Sequence, residues 1–130
     1  MSAEAVSPRG ELAIRTIAMP ADTNPSGDIF GGWVLAQMDG AGGITAWWRA
    51  NGRVATVGIE AMTFHRPVNV GDVVNVYTEV VRVGTTSLTV EVEAWVERRE
   101  QIHQRVKVTQ GTFTYVAIDA SGRKRPVPTG

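Results

Sequence analysis

Between Ile29 and Ile44 the chain carries only two strongly polar side chains, Gln37 and Asp39. A helix that is apolar on nearly every side has to be enclosed by other structure. The turn formers of "ADTNPSGD" precede this run and end in acceptable N-cap residues, so the helix is expected to start near Asp28. Asn51-Gly52 supplies its stop. Whatever encloses the helix must come from the rest of the chain, and the rest reads as strand.

One strand candidate, "ELAIRTIAM", lies before the helix and is stopped by Pro20. After it, "RVATVGIEAMTFHRPV" ends at Pro67, and Gly71-Asp72 turns the chain. "VVNVYTEVVRV" follows, with Gly84-Thr85-Thr86 as a hairpin connection. "LTVEVEAWVER" puts Leu88, Val90, Val92, Ala94 and Val96 on one face and Thr89, Glu91, Glu93, Trp95 and Glu97 on the other. That alternation is the pattern of a half-buried antiparallel strand. "RVKVTQGTFTYVAID" is the last strand, before a polar tail with Pro126 and Pro128. A flat sheet covers one side of a helix only. The expectation is therefore α+β, a five-stranded antiparallel sheet wrapped around one long central helix, with the leftover helix face calling for a second copy. Residues 1–10 are expected to be a flexible N-terminus and residues 11–130 a single domain.

Thirteen basic and thirteen acidic side chains cancel, so no strong field favours nucleic acid or a membrane surface. The absence of cysteine excludes a disulfide frame and a zinc ribbon. Glu4, Arg9 and Glu11 fall where a signal peptide would need an apolar core. A cytoplasmic protein that binds neither nucleic acid nor membrane, and holds no metal or cofactor, is expected.

Four stretches together, "AMPADTNPSGDIFGGWVLAQMD", "MTFHRPVNVGDVV", "VGTTSLTVEVEAWV" and "FTYVAIDASGRKRPVP", resemble the hotdog-fold acyl-CoA thioesterases, in particular the bacterial YciA-like branch. The similarity runs from about Leu12 to Pro128. It implies a hotdog fold, in which two subunits pair into a continuous sheet and dimers assemble further, as a trimer of dimers. It also implies an acyl-CoA substrate and a coenzyme A product. The chain departs from that branch in a shorter C-terminus and in the bulky Trp47-Trp48 late in the helix.

The resemblance gives chemistry to the helix. A helix N-terminus presents unsatisfied N–H groups and positive potential. Gly31 and Gly32, having no side chains, would let a thioester carbonyl approach those groups, as an oxyanion hole requires; the plainer reading is close helix–sheet packing, which is preferred for Gly40, Gly42 and Gly43. The resemblance makes Asp39 the catalytic acid residue. Set among Val34, Leu35, Met38 and Ala41, its carboxyl is expected to be pushed up by desolvation and to serve as general base or as nucleophile. The plainer alternative is a structural aspartate. Asp28 reads equally as an N-cap or, by analogy with tandem hotdog thioesterases, as a second catalytic group acting across a dimer beside the partner's Asp39. Asn24 would cap or orient the same loop.

For coenzyme A, the resemblance points to the segment "RVGTTS", with Arg82, Gly84, Thr85, Thr86 and Ser87 lining the channel. A bare hairpin turn is the plainer reading. Arg66 in "FHRP" and Arg53 are further phosphate candidates, with surface solvation an equally ordinary role, and Asp72 reads as a turn residue. No GxSxG motif is present to supply a serine elbow. His65 and His103 make no metal pair, and the helix lacks the histidine that hotdog dehydratases use. The rival from another class is a non-catalytic acyl-CoA-binding or sensing protein. Retention of Asp39 favours the enzyme.

Overall fold

The computed structural model describes residues 7–98, 100, 101 and 103–129. In chain order these form β1 (Glu11–Ile17), a short 3-10 turn (Pro20–Asp22), α1 (Gly31–Ala50), β2 (Val54–Phe64), β3 (Val73–Val83), β4 (Ser87–Glu97) and β5 (Arg105–Ala117). The five strands make one antiparallel sheet in the order β1-β3-β4-β5-β2. Its concave face holds α1. Val34, Met38, Ala41 and Ala46 of the helix are buried against Val74, Val76, Val90, Val92 and Phe113 of the strands. The opposite helix flank, including Gly32, Ala36, Gly40 and Trp47, stays exposed, so the sheet encloses the helix on one side only. Among the described residues no helix is long and apolar enough to cross a membrane.

The helix stops where expected. Asn51 adopts a left-handed conformation with φ 54°, and its N–H bonds back to the carbonyls of Trp47 and Trp48. The start differs. α1 begins at Gly31 behind Phe30, and no side chain caps it. Asp28 is not the N-cap because the loop before it closes on itself. The Asn24 side-chain oxygen accepts the N–H groups of Ser26 and Asp28, and Asn24 N–H donates to the Asp28 carbonyl at 2.7 Å. Ile29 N–H is then held by Val68 and Phe30 N–H by Asp22. The chain is free to turn helical only after Phe30.

β4 also departs from expectation. Its inward residues Leu88 to Val96 are buried as the alternation predicts, but the outward Trp95 is only 2% exposed. β4 is the central strand, and Trp95 lies between Asn75 on β3 and Lys107 on β5. Its ring N–H donates to Glu93 Oε1 at 2.9 Å, and the same oxygen accepts Arg9 N–H at 3.1 Å, while Lys107 approaches the other oxygen of Glu93 at 3.4 Å. Long polar side chains thus roof the indole. Gly10 brings the chain to this face. With φ 90° and the Thr78 carbonyl pressed against its α-carbon, no residue with a Cβ fits there.

Trp95→Ala is expected to cost roughly 3–5 kcal/mol in urea unfolding, the range for a large buried aromatic. A loss below about 1 kcal/mol would mean that the outer face of β4 is wet.

Candidate active site

Asp39 lies on the helix flank that meets β2 and β5, not among the apolar side chains expected around it. Its Oδ1 accepts the Thr56 hydroxyl at 2.7 Å and the Tyr115 hydroxyl at 3.0 Å. Thr56 and Tyr115 are register partners on β2 and β5, so two adjacent strands deliver both donors to one oxygen. Among the described residues Oδ2 has no partner. The carboxylate is therefore oriented through one oxygen and free at the other.

Gly42 makes this possible. A Cβ there would collide with the Tyr115 hydroxyl and ring, which also bonds the Asp39 carbonyl at 3.0 Å. Gly40 and Gly43, by contrast, have ordinary van der Waals room for a Cβ, so the packing role expected for all three belongs to Gly42 alone. Burial, and then the neighbouring Asp39 carboxylate, push the Tyr115 hydroxyl well above the ordinary tyrosine value. It stays a donor through the range near pH 10 in which free tyrosine ionises.

At the other end of the helix, Trp33 and Val34 N–H both bond to the Phe30 carbonyl. Among the described residues the N–H groups of Gly31 and Gly32 meet no acceptor. A Cβ on Gly32 would meet nothing within 4 Å, and one on Gly31 only the Phe64 ring at 3.6 Å. Packing within the chain does not require either glycine. A cleft of about 310 Å³ opens beside them, lined by Gly31, Val34, Phe64, His65, Arg66 and Val68. Arg66 donates to the Lys107 carbonyl there.

The segment Arg82 to Ser87 lies at the opposite end, where β4 leaves the β3–β4 hairpin. Gly84 N–H bonds to the Ser87 carbonyl, while the Thr85 and Thr86 carbonyls accept Val127 and Ala117 N–H. This turn fastens the tail to the sheet. The residues proposed from sequence thus fall into three places: Asn24, Asp28, Gly31, Gly32 and Arg66 near the helix start, Asp39 midway, and Arg82 to Ser87 near the helix end. Gly32 and Asp39 are separated by roughly 10 Å of helix rise, too far to serve one carbonyl within a chain. Asp28, outside the helix and exposed, does not project with Asp39 along one helix face.

A family model of the thioesterase superfamily matches residues 26–103. The chain belongs to the thioesterase superfamily. The acyl-CoA thioester hydrolase YciA of Salmonella typhimurium is 55% identical over 124 residues, covering 94% of this thioesterase and 93% of that relative. The hexameric thioesterase y2039 from Yersinia pestis superimposes with a TM-score of 0.91 at 50% identity, covering 95% of this chain and 100% of that one. HI0827, a hexameric broad specificity acyl-coenzyme A thioesterase, gives 0.90 at 48%, covering 95% and 84%. The fold is the hotdog fold. Among the described residues no cluster of His, Cys, Asp and Glu could hold a metal ion.

Thr56 and Tyr115 escaped the reading of this thioesterase's sequence. They stand 17 and 76 positions from Asp39, and only the β2–β5 register brings them together. A threonine and a tyrosine on inward strand positions carry no local signal.

Tyr115→Phe should lower turnover by roughly tenfold with little change in KM, because it loosens the carboxylate without removing it. Gly42→Ala should act in the same direction by displacing the ring. The neutral Tyr115 hydroxyl contributes stability that is complete below about pH 10 and lost as the pH rises above it, since the unfolded chain ionises first. The melting-temperature advantage of wild type over Tyr115→Phe should shrink between roughly pH 9 and 11. An advantage constant with pH would contradict the assignment.

Proposed function

We propose that this thioesterase hydrolyses acyl-CoA to a free carboxylic acid and coenzyme A at sites shared between two subunits, with Asp39 of one and the Gly31–Gly32 helix start of the other. The observation that carries the reading is a carboxylate held by Thr56 and Tyr115 through Oδ1 alone. Its relatives at about half identity act on acyl-CoA thioesters. Oδ2 takes a proton from water as the hydroxide attacks the thioester carbonyl, or attacks that carbonyl itself to form a mixed anhydride. The oxyanion forms against the free glycine N–H groups. Collapse breaks the C–S bond and releases the CoA thiolate, which on the base route takes back the proton held by Asp39; on the anhydride route it takes a proton from solvent, and water then cleaves the anhydride to free the acid and restore Asp39.

Pairing of subunits is supported by exposed apolar surface. Val57, Ile59 and Phe64 on the edge strand β2 and Trp47 on the helix lie open in one chain. Pairing of β2 edges places two helices side by side and lets each N-terminus reach the other's Asp39. We assign the higher assembly to a trimer of such dimers, in line with the hexameric relatives. Asp28 and Asn24, joined in one hydrogen-bonded loop at the helix start, enter the partner's site with Gly31. Arg66 and the segment Arg82 to Ser87 approach coenzyme A from the two subunits.

Asp39→Asn should cost a hundredfold or so in turnover with the fold kept. Single turnover in oxygen-18 water tests the anhydride route: label in Asp39 marks an anhydride opened by water at the aspartyl carbon, which the base route cannot produce. Gly32→Val should also be inactive, since its side chain obstructs the approach of the carbonyl. Mixing the two inactive proteins under subunit exchange creates dimers with one sound site, so roughly a quarter of wild-type activity should return. No recovery after proven exchange would place both residues in one subunit's site or remove Gly32 from the chemistry.

A further inference from the structure

The start of α1 hangs on segment 67–72 of the β2–β3 connection. Ile29 N–H, two residues before the helix, bonds to the Val68 carbonyl at 3.3 Å, and both residues are buried. Ile29, Pro67 and Val68 also line the cleft beside Gly31. The segment is pinned to the end of β1: Ala18 N–H donates to the Asp72 carbonyl, and Gly71 N–H to the Ala18 carbonyl. Within it, Asp72 Oδ2 accepts Asn69 N–H at 2.9 Å, while Asp72 N–H donates to the Asn69 carbonyl at 3.0 Å. Asp72 closes the turn that the sequence suggests, but only 4% of it is exposed. A surface turn does not require a buried carboxylate.

Such a carboxylate is costly unless a cation meets it. Arg98, the residue after β4, supplies one. Its Nε lies 3.4 Å from Asp72 Oδ2, and its Nη2 donates to the Pro67 carbonyl at 2.9 Å. Nε is buried, and among the described residues no well-aligned hydrogen bond reaches it. One guanidinium thus grips both ends of segment 67–72. A planar fork holds two fixed points at once, as a single ammonium does not. Without it, Asp72 would keep only the Asn69 N–H and the Pro67 carbonyl would lose its donor. Val68, whose carbonyl holds Ile29, is the residue next to Pro67. Arg98 is not itself among the residues that line the cleft.

We propose that Arg98 is a positioning residue for the reaction: through Asp72 and Pro67 it fixes Val68 and Ile29, and so sets where the Gly31 and Gly32 N–H groups point. This rests on the reading of those glycines as the oxyanion site. Donors there have to sit about 3 Å from the oxygen that develops charge, so a small shift of the helix start weakens the transition state more than the bound substrate.

The test compares wild type with Arg98→Gln, Asp72→Asn and the double variant on butyryl-CoA. Each single variant should lower kcat per folded molecule by about tenfold, with KM changed by less than about twofold. The double variant should be no worse than the poorer single one, since both act on one joint. In protein carrying nitrogen-15 glycine, the amide signals of Gly31 and Gly32, assigned through Gly31→Ala and Gly32→Ala, should move in the variants. Those of Gly42 and Gly43, in the same helix, should stay. Unmoved Gly31 and Gly32 signals overturn the proposal, as does an unchanged kcat per folded molecule beside a lowered melting temperature, which would mark a role in stability alone. Movement of the Gly42 and Gly43 signals as well overturns it too, marking a general loosening of the helix. If Arg98→Gln fails to fold, Arg98→Lys keeps a charge beside Asp72 without the fork, and wild-type kcat with unmoved Gly31 and Gly32 signals in that variant overturns the proposal. If Gly32→Val stayed fully active, the oxyanion reading would fail, while displaced Gly31 and Gly32 signals in Arg98→Gln would still uphold Arg98 as the residue that sets the helix start.

Discussion

The contact of the Tyr115 hydroxyl with Asp39 through the gap left by Gly42 ties the helix to the sheet. A carboxylate halfway along a helix, on the flank that meets the sheet, needs donors, and the helix backbone there has none to spare. The donors come from β5 and β2, strands distant in sequence that are adjacent only because β2 pairs with β5 at the end of the sheet. A residue larger than glycine one turn after Asp39 would push the ring away. Curling the sheet over the helix and fixing the Asp39 carboxylate are one packing event.

Much of the fold was legible because it rests on local signals. Asn51-Gly52 ended the helix through a left-handed residue, the Val83 to Ser87 hairpin fell at its glycine, and the inner face of β4 followed strict alternation. The misses came from interactions that span the chain. Asp28 looked like a cap in its own segment, but Asn24 and Val68 claim the backbone around it. Trp95 sat on the polar side of the pattern, yet a central strand in a curled sheet is roofed by neighbours that no alternation records. The two hydroxyl donors to Asp39 were not legible, since strand register decides them.

The candidate residues do not converge within one chain. The open helix start and the cleft beside Arg66 lie at one end, the β3–β4 turn at the other, with Asp39 between. A long acyl-CoA molecule is itself extended, with a thioester in its middle and chemically unlike ends. An elongated arrangement of this kind suits it better than a single compact pocket would.

The two sheet edges are not equivalent. β1 is seven residues long, carries Glu11 and Arg15, and is flanked by left-handed Gly10 and by Pro20. β2 has eleven residues and exposes Val57 and Ile59. One edge invites a further strand and the other discourages it. Pairing through β2 would consume the receptive edge of both copies at once and leave only blunted edges outside. A sheet so joined would close at two chains, where a protein with two receptive edges would run on into a fibre.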